Sequence, residues 1–565
     1  MRAALVAALP LLFATSGPVL ADTLIDNVNG ITLDAAGQVE RFNGVLIGDD
    51  GRIEMVLKRG DKRPGKVDFL YDGKGRVLLP GMIDAHGHVM ELGFQQLTLD
   101  LSGTKTLAEA QDRLRAYAAA HPDRPWIVGF GWNERVWGMD KPPVAADLDV
   151  VVADRPVWLI RADGHAGWAN SVALAAGKVT AATKDPAGGR IERVAGTARP
   201  SGILVDAARA LVADRAPQPR PEDRDLALLE AQEVLLRNGV TAIADMGTSI
   251  EDWQAYRRAG DIGNLRIRIM AYAAGVEAME LIGGPGPTPW LYDDRLRLNG
   301  VKLYLDGALG SGGAWLKAPY ADRPGNSGLP FLNDTQLRNL MSRAAIDNFQ
   351  VAVHAIGDKA SAATLDAIDE LAQTYKGDRR WRIEHAQIVD PGDIARFGQH
   401  GIIASMQPQH QASDRTMAES RLGPARLAGA YAWKSIAASG ARLAFGSDVP
   451  VEPAMPFTGI AVAITRQGAD CEPFAGWQPQ ERISRELALA AYTTGAAFAG
   501  FGEGRIGRIA QGLRADFVLV DQDPLLASPA EVRATRVLET WVGGKALYRA
   551  KTPDAGLQPP QAGGR

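Results

Sequence analysis

The sequence predicts an α/β protein built on a (β/α)8 barrel of the TIM type. A small β-sandwich made from both chain ends flanks it, and an insertion separates barrel strands one and two. Three observations predict this fold. Eight short apolar, β-branched segments recur along the middle of the chain, each bounded by glycine, proline or a polar turn. Helical stretches separate most of them, which implies a parallel sheet, and residues capable of chemistry gather at the C-terminal ends of the segments, where barrel enzymes keep their sites.

Taken in chain order, Arg2 precedes an apolar stretch from Ala3 to Ala14, and Val19-Leu20-Ala21 offers small or aliphatic groups before Asp22. Residues 1–21 read as a secretory signal cut after Ala21. The stretch is shorter than a membrane span and is broken by Pro10 and Pro18, so the expectation is a periplasmic or secreted protein with no membrane attachment after cleavage. Alternating segments follow at Thr23 to Val28 and Gly44 to Gly48, and return at Asp516 to Val520 and Arg536 to Val542. Neither end has enough strands to close a core alone, so residues 22–79 and 506–550 are expected to form one β-sandwich.

The barrel is expected over residues 80–505, on strands Val77 to His86, Val240 to Asp245, Ile267 to Tyr272, Val301 to Asp306, Gln350 to His354, Trp381 to His385, Ile402 to Met406 and Arg442 to Phe445. Helical spacing is clearest at Asp223 to Asn238 and Thr335 to Asn348. The interval of about 91–238 is too long for a simple connection and predicts a subdomain. Residues 551–565 lack periodicity and read as a disordered tail.

Composition bounds the function. In 565 residues, hydrophobic content of 46% and charged content of 23% are those of a globular protein, and a net charge of -4 without a basic run gives no reason to expect nucleic acid as a partner. The partner expected is a small-molecule substrate, and a homo-oligomeric state is left open. With one cysteine, Cys471, there is no intramolecular disulfide and no thiolate cluster, so any metal must be held by nitrogen and oxygen.

Six residues near strand ends are the candidate metal ligands: His86, His88, Lys302, His354, His385 and Asp448. His86 and His88 are two apart, which on a strand turns both to one face. Buried imidazoles and carboxylates need partners or a metal. Lys302 is the exception, because an ammonium repels a dication. Desolvation favours its neutral amine, which can add carbon dioxide and become an oxygen ligand, and the competing reading is a buried ion pair with Asp306 or Asp448. Zinc suits this donor set, with manganese, iron or cobalt open. His121 and His400 read as solvated turn residues.

The stretches Leu79-Pro80-Gly81-Met82-Ile83-Asp84-Ala85-His86-Gly87-His88, Val301 to Ser311, His354-Ala355-Ile356-Gly357-Asp358, Glu384-His385-Ala386, Gln407-Pro408-Gln409-His410 and Gly446-Ser447-Asp448 resemble the amidohydrolase superfamily. Within it they are similar to amidohydrolase family 3, the branch that includes N-substituted formamide deformylases. The resemblance implies two divalent ions, His86, His88 and Asp448 on one, His354 and His385 on the second, with carboxylated Lys302 between. It implies hydrolysis of a carbon–nitrogen bond other than a peptide, an N-acyl or N-formyl amine, by a metal-bound hydroxide, with Asp448 as proton shuttle. It also assigns His165, in Asp163-Gly164-His165, to catalysis or substrate contact. Trp132, Tyr304 and Gln407 are further candidates for the pocket lining. A mononuclear deaminase, an ester or lactone hydrolase and a metal-free binding protein are the alternatives, the last disfavoured because no ligand position is missing.

Overall fold

The computed structural model describes residues 22–162, 164–186 and 188–551, so the readings of a signal at 1–21 and of a tail over 552–565 lie outside the described residues. Eight parallel strands run around the barrel in chain order: Met82–Gly87, Val240–Thr248, Arg268–Ala274, Leu296–Tyr304, Gln350–Ala355, Arg382–His385, Ile403–Met406 and Arg442–Phe445. All seven adjacent pairs are hydrogen-bonded in parallel register. The last and first strands meet at their C-terminal ends, where the Asp448 N–H donates to the His86 carbonyl (2.7 Å) and the His88 N–H to that of Val449 (2.7 Å).

Alternation along the strands decides what fills the interior. Ile83, Ala242, Met270, Ala352, Ile403 and Ala444 pack inside the barrel, while Ile243, Val301, Leu303, Val353 and Ile383 belong to the larger core shared with the outer helices. Lys302, flanked by Val301 and Leu303, therefore turns inward, as does His354 beyond Val353. The helices begin on capping residues that the sequence supplies. Ser249 accepts from the Asp252 N–H ahead of Ile250–Asp261, and Asn333 accepts from the Gln336 N–H ahead of Asp334–Ile346.

The expected first strand, Val77 to His86, is two strands. Val77–Pro80 pairs with Phe517–Val520 in the terminal sheet, and only Met82–Gly87 enters the barrel. Gly81 is the break, because a Cβ there would lie 2.2 Å from the Thr241 hydroxyl oxygen, so only glycine lets the chain cross so close to the second strand.

Both chain ends share one hydrogen-bonded sheet of eight strands. In order these are Lys545–Arg549, Val537–Val542, Phe517–Val520, Val77–Pro80, Thr23–Leu33, Val39–Ile47 and Ile53–Leu57, with Phe69–Asp72 also paired to Thr23–Leu33. A bulge between Asp26 and Gly30, with Asn27 at φ 56°, bends the long strand. Its two halves can then pair with different neighbours.

Between the first two barrel strands lies a second sheet of six strands, from Leu99–Asp100 to Pro200–Asp206, with cores of its own around Trp132, Trp168 and Leu159 and around Trp158 and Leu204. No helix among the described residues is long and apolar enough to cross a membrane.

The terminal sheet is locked to the barrel by one buried pair. The Arg268 guanidinium gives Asp516 two hydrogen bonds (2.6 and 2.8 Å) and donates to the carbonyls of Asp293 and Asp294, and Asp516 also accepts from the Gly543 N–H. Asp516→Ala, which strands that guanidinium, is expected to cost about 3–5 kcal/mol in urea unfolding. A loss below about 1 kcal/mol would show that water or another carboxylate takes the place of Asp516.

Candidate metal centre

At the C-terminal mouth of the barrel the side chains of His86, His88, Lys302, His354, His385 and Asp448 converge. His88 Nε2 is 3.1 Å and His86 Nε2 3.4 Å from Asp448 Oδ1, and Lys302 Nζ is 3.1 Å from His86 Nε2. The His385 ring lies 4.6 Å, centroid to centroid, from both the His86 and the His354 rings. One residue is added that the sequence reading left unassigned. His410, at the start of helix Pro408–Leu422, brings a ring nitrogen within reach of His385 and Asp448, with Nε2 at 3.8 Å from Asp448 Oδ2. The only signal for it was its place in Gln407-Pro408-Gln409-His410, immediately after a barrel strand.

Backbone geometry aims the ligands. An extra residue on the first strand, opposite the stretch Ile243 to Asp245, places a bulge at the approach to His86. His385 and Asp448 both have left-handed backbone, φ 71° and 61°, a conformation that side-chain-bearing residues hold only where the surroundings fix it. Around Asp448 the surroundings are Asp84, whose carboxylate accepts from the N–H of His86 (3.2 Å) and from the N–H and hydroxyl of Ser447 (3.0 and 2.5 Å). Burial pushes Asp84 up to about 6.

Tautomers follow from the bonds to the far side of each ring. His86 Nδ1 is 2.6 Å from Glu384 Oε2, and Arg382 holds the same carboxylate through Nε (2.7 Å) and Nη2 (3.1 Å). Burial would raise Glu384, but the Arg382 guanidinium keeps it well below the carboxylate range. An acceptor at Nδ1 fixes the proton there and leaves the His86 Nε2 lone pair facing the centre, as in the carboxylate–histidine–metal arrangement. His385 is held the same way, with Nδ1 donating to Gln407 Oε1 at 3.0 Å. His410 is the reverse: the amide Nε2 of Gln387 donates to its Nδ1 (3.2 Å), so its own proton sits on Nε2, toward Asp448.

Burial holds His86 down to about 3 and pushes His354 and His385 well below the ordinary histidine value, so these rings are neutral and able to ligate. Asp448, which burial would raise, is held well below the carboxylate range by the imidazoles of His86 and His88. His88 goes the other way. Against burial, Glu91 and the bond to Asp448 raise it to about 9.

The remaining candidates separate. His165, on the insertion, is half-buried and bonds through Nδ1 to Asp206 (2.9 Å). Tyr304 is 43% exposed beside His354, with ring centroids 5.6 Å apart. Gln407 is buried, its Oε1 accepting from His385 Nδ1 while its Nε2 has no hydrogen-bond partner. Trp132 is corrected: it is fully buried in the core of the insertion and donates to the Leu159 carbonyl (2.9 Å), because its apolar ring completes that core. Lys302 pairs with neither Asp306 nor Asp448 among the described residues. Asp306 instead accepts from the backbone N–H groups of Trp315, Ile356 and Gly357. His400 bonds to Asp369 and His121 stacks on Tyr117, both outside the centre.

The donor set fits a divalent cation. It is all nitrogen and carboxylate oxygen, and the ligand atoms of His86, His88 and Asp448, and those of His385, His410 and Asp448, lie within 4.8 Å of one another. His86, His88 and Asp448 would hold one ion, and His354 and His385 a second.

Glu384→Gln, which weakens the hold on His86 Nδ1, is expected to lower Zn²⁺ affinity about 10–100-fold in competition with a chromophoric chelator, and an unchanged affinity contradicts the orienting role. A second expectation concerns pH. Because His88 is protonated below about 9 in the metal-free protein and must lose that proton to ligate, the affinity for the ion it shares with His86 rises with pH and levels off near 9. Titration at several pH values with two buffers of different ionisation enthalpy checks the proton release, and a pH-independent affinity between 7 and 9 would sink it.

The chain matches the amidohydrolase family over residues 70–548. It is 35% identical over 553 residues to the protein LONG AFTER FAR-RED 3 of Arabidopsis thaliana, covering 94% of this chain and 92% of that one. It is 26% identical over 554 residues to the N-substituted formamide deformylase of Arthrobacter pascens, covering 93% and 98%. Among solved structures, an uncharacterized metal-dependent hydrolase from Pyrococcus horikoshii OT3 superposes with a TM-score of 0.73 at 26% identity, over 90% of this chain and 99% of the other. With a centre of histidines and aspartate at the mouth of a parallel barrel, and a match that runs over most of its length, this chain belongs to the amidohydrolase family.

Proposed function

We propose that the protein hydrolyses a carbon–nitrogen bond other than a peptide bond, in an N-acyl or N-formyl amine. Two divalent ions would be held as described, with Lys302 carboxylated between them. The observation that carries this reading is the position of Asp448, one oxygen against His86 and His88 and the other toward His410, on a strained loop at the barrel mouth. The likeness to a protein named as a formamide deformylase supports the bond type.

A bound divalent ion supplies Lewis acidity and a lower pKa for coordinated water. The chain supplies the rest. Asp448 accepts a proton from the attacking water and passes it to the leaving amine, a task that suits a carboxylate held ionised among imidazoles. His410, with its proton on the nitrogen that faces the centre, donates a hydrogen bond to the oxygen that becomes negative as the carbonyl carbon turns tetrahedral. His165, oriented by Asp206, stands beyond it at the substrate side. Lys302, if left as an ammonium, would use the His86 lone pair for itself at 3.1 Å and repel a cation, whereas burial, which lowers it to about 8, favours the neutral amine that carbon dioxide modifies.

The second reading, one ion and a deaminase or an ester or lactone hydrolase, is favoured by one observation: unmodified Lys302 already satisfies His86. Metal analysis separates the two readings, with two ions per chain and a carbamate mass increment on Lys302 expected for the first and one ion with unmodified lysine for the second.

Asp448→Asn is expected to abolish turnover of N-acyl or N-formyl amines while most of the metal stays bound, and His410→Asn to lower kcat about 10²–10³-fold, also with its metal. Full activity in the first variant refutes the shuttle. Loss of metal in the second would make His410 a ligand.

A further inference from the structure

Beside the metal centre, between the helix that follows the first barrel strand and the sheet of the insertion, lies a cleft of about 480 Å³. Three of its wall segments come directly from the centre. Glu91 is three residues past His88, Gly164 precedes His165, and Pro450 and Val451 follow Asp448. Its other walls are largely apolar, with Phe94, Val128, Phe130, Trp158 and Ile160 contributing. This is the size and character of a small-ligand site.

Two guanidinium groups face this space from the insertion, and they differ. Arg161 gives both of its arms to Glu134 (2.9 and 2.8 Å), so its charge is matched. Arg209 has one hydrogen bond, from Nε to the Asp206 carbonyl (3.3 Å), and its terminal nitrogens meet no carboxylate among the described residues. A guanidinium on an apolar wall without an anion is a ready partner for one. Glu91 lines the same cleft three residues past His88, on the side of the metal centre. No ion pair joins Glu91 to Arg209 among the described residues.

We propose that this cleft holds the non-reacting arm of the substrate, and that the arm is an apolar chain or ring ending in a carboxylate that pairs with Arg209. This rests on the carbon–nitrogen hydrolysis proposed above. Glu91 sets the direction: it repels the carboxylate from the metal end, so that the anion seats at Arg209 and the scissile bond at the ions. Asp206 ties the two functions together, its carbonyl holding Arg209 and its carboxylate holding His165.

The test compares N-formyl-6-aminohexanoate with N-formylhexylamine, which share a chain and differ in the charge at its end. The metal-loaded protein is expected to prefer the acid about tenfold or more in kcat/KM, the worth of one charge-assisted hydrogen bond, and in Arg209→Gln that ratio is expected to fall toward one, with Arg209→Lys in between. Equal kcat/KM for the two substrates in the unaltered protein, or a ratio that Arg209→Gln leaves intact, overturns the proposal. If neither amide is hydrolysed, the carbon–nitrogen reading fails and calorimetry with 4-phenylbutyrate and 4-phenylbutyramide decides the cleft separately. Tighter binding of the acid that Arg209→Gln weakens about tenfold supports it, and acid binding unaffected by the variant, as for a carboxylate seated on the ions alone, overturns it.

Discussion

The centre depends on a carboxylate shared by two partners inside the barrel. Glu384 is fully buried, bound on one side by Arg382 and on the other by His86. Taking such an ion out of water costs several kcal/mol, and only paired charge with full hydrogen bonding recovers it. Arg382 completes the arrangement by donating to Tyr272 (2.9 Å), the Ala85 carbonyl (2.7 Å) and Ser405 (3.0 Å), and Tyr272 donates in turn to Gln350 (2.6 Å). A band of satisfied polar groups therefore lies above the apolar floor of the barrel and below the metal ligands. Its effect at the mouth is specific: it presents one lone pair of His86 to the centre and no proton.

The seam between the last and first strands is where the fold and the chemistry meet. Asp84 bonds to Ser447 and to the His86 N–H, and a Cβ on Gly446 would lie 2.5 Å from the His86 nitrogen. Closing the barrel and bringing Asp448 to His86 and His88 are thus one event. The left-handed backbone of Asp448 is held by these contacts, so the strain is carried by the closure and not by the residue alone.

Around that centre the chain sets neutral, buried rings against a rim of charge. His354 and His385 are kept neutral by burial, whereas Glu91, His165 and Arg209 stand where solvent reaches them. The division suits a hydrolase that must hold cations deep and sort small molecules at the surface. Trp132 and Trp168 of the insertion are spent on its own packing.

The sequence by itself determined the barrel and most of the candidate ligands. Strand periods, glycine and proline punctuation and the helices between them are local properties, and every barrel strand read from them is present, with His86, His88, Lys302, His354, His385 and Asp448 at one mouth. What it could not determine is which way a side chain turns once neighbours from distant strands arrive. His410 reaches the centre from a helix start, Gln407 bonds to His385, and Trp132 faces a core, each decided by contacts more than 20 residues away in the chain. The break at Gly81 depends on Thr241, and the single terminal sheet on a bulge that bends one strand between partners from both ends. Local pattern sets which elements form, and packing across the fold sets the direction and protonation of each group they carry, because those are governed by burial and by partners that no short stretch of sequence contains.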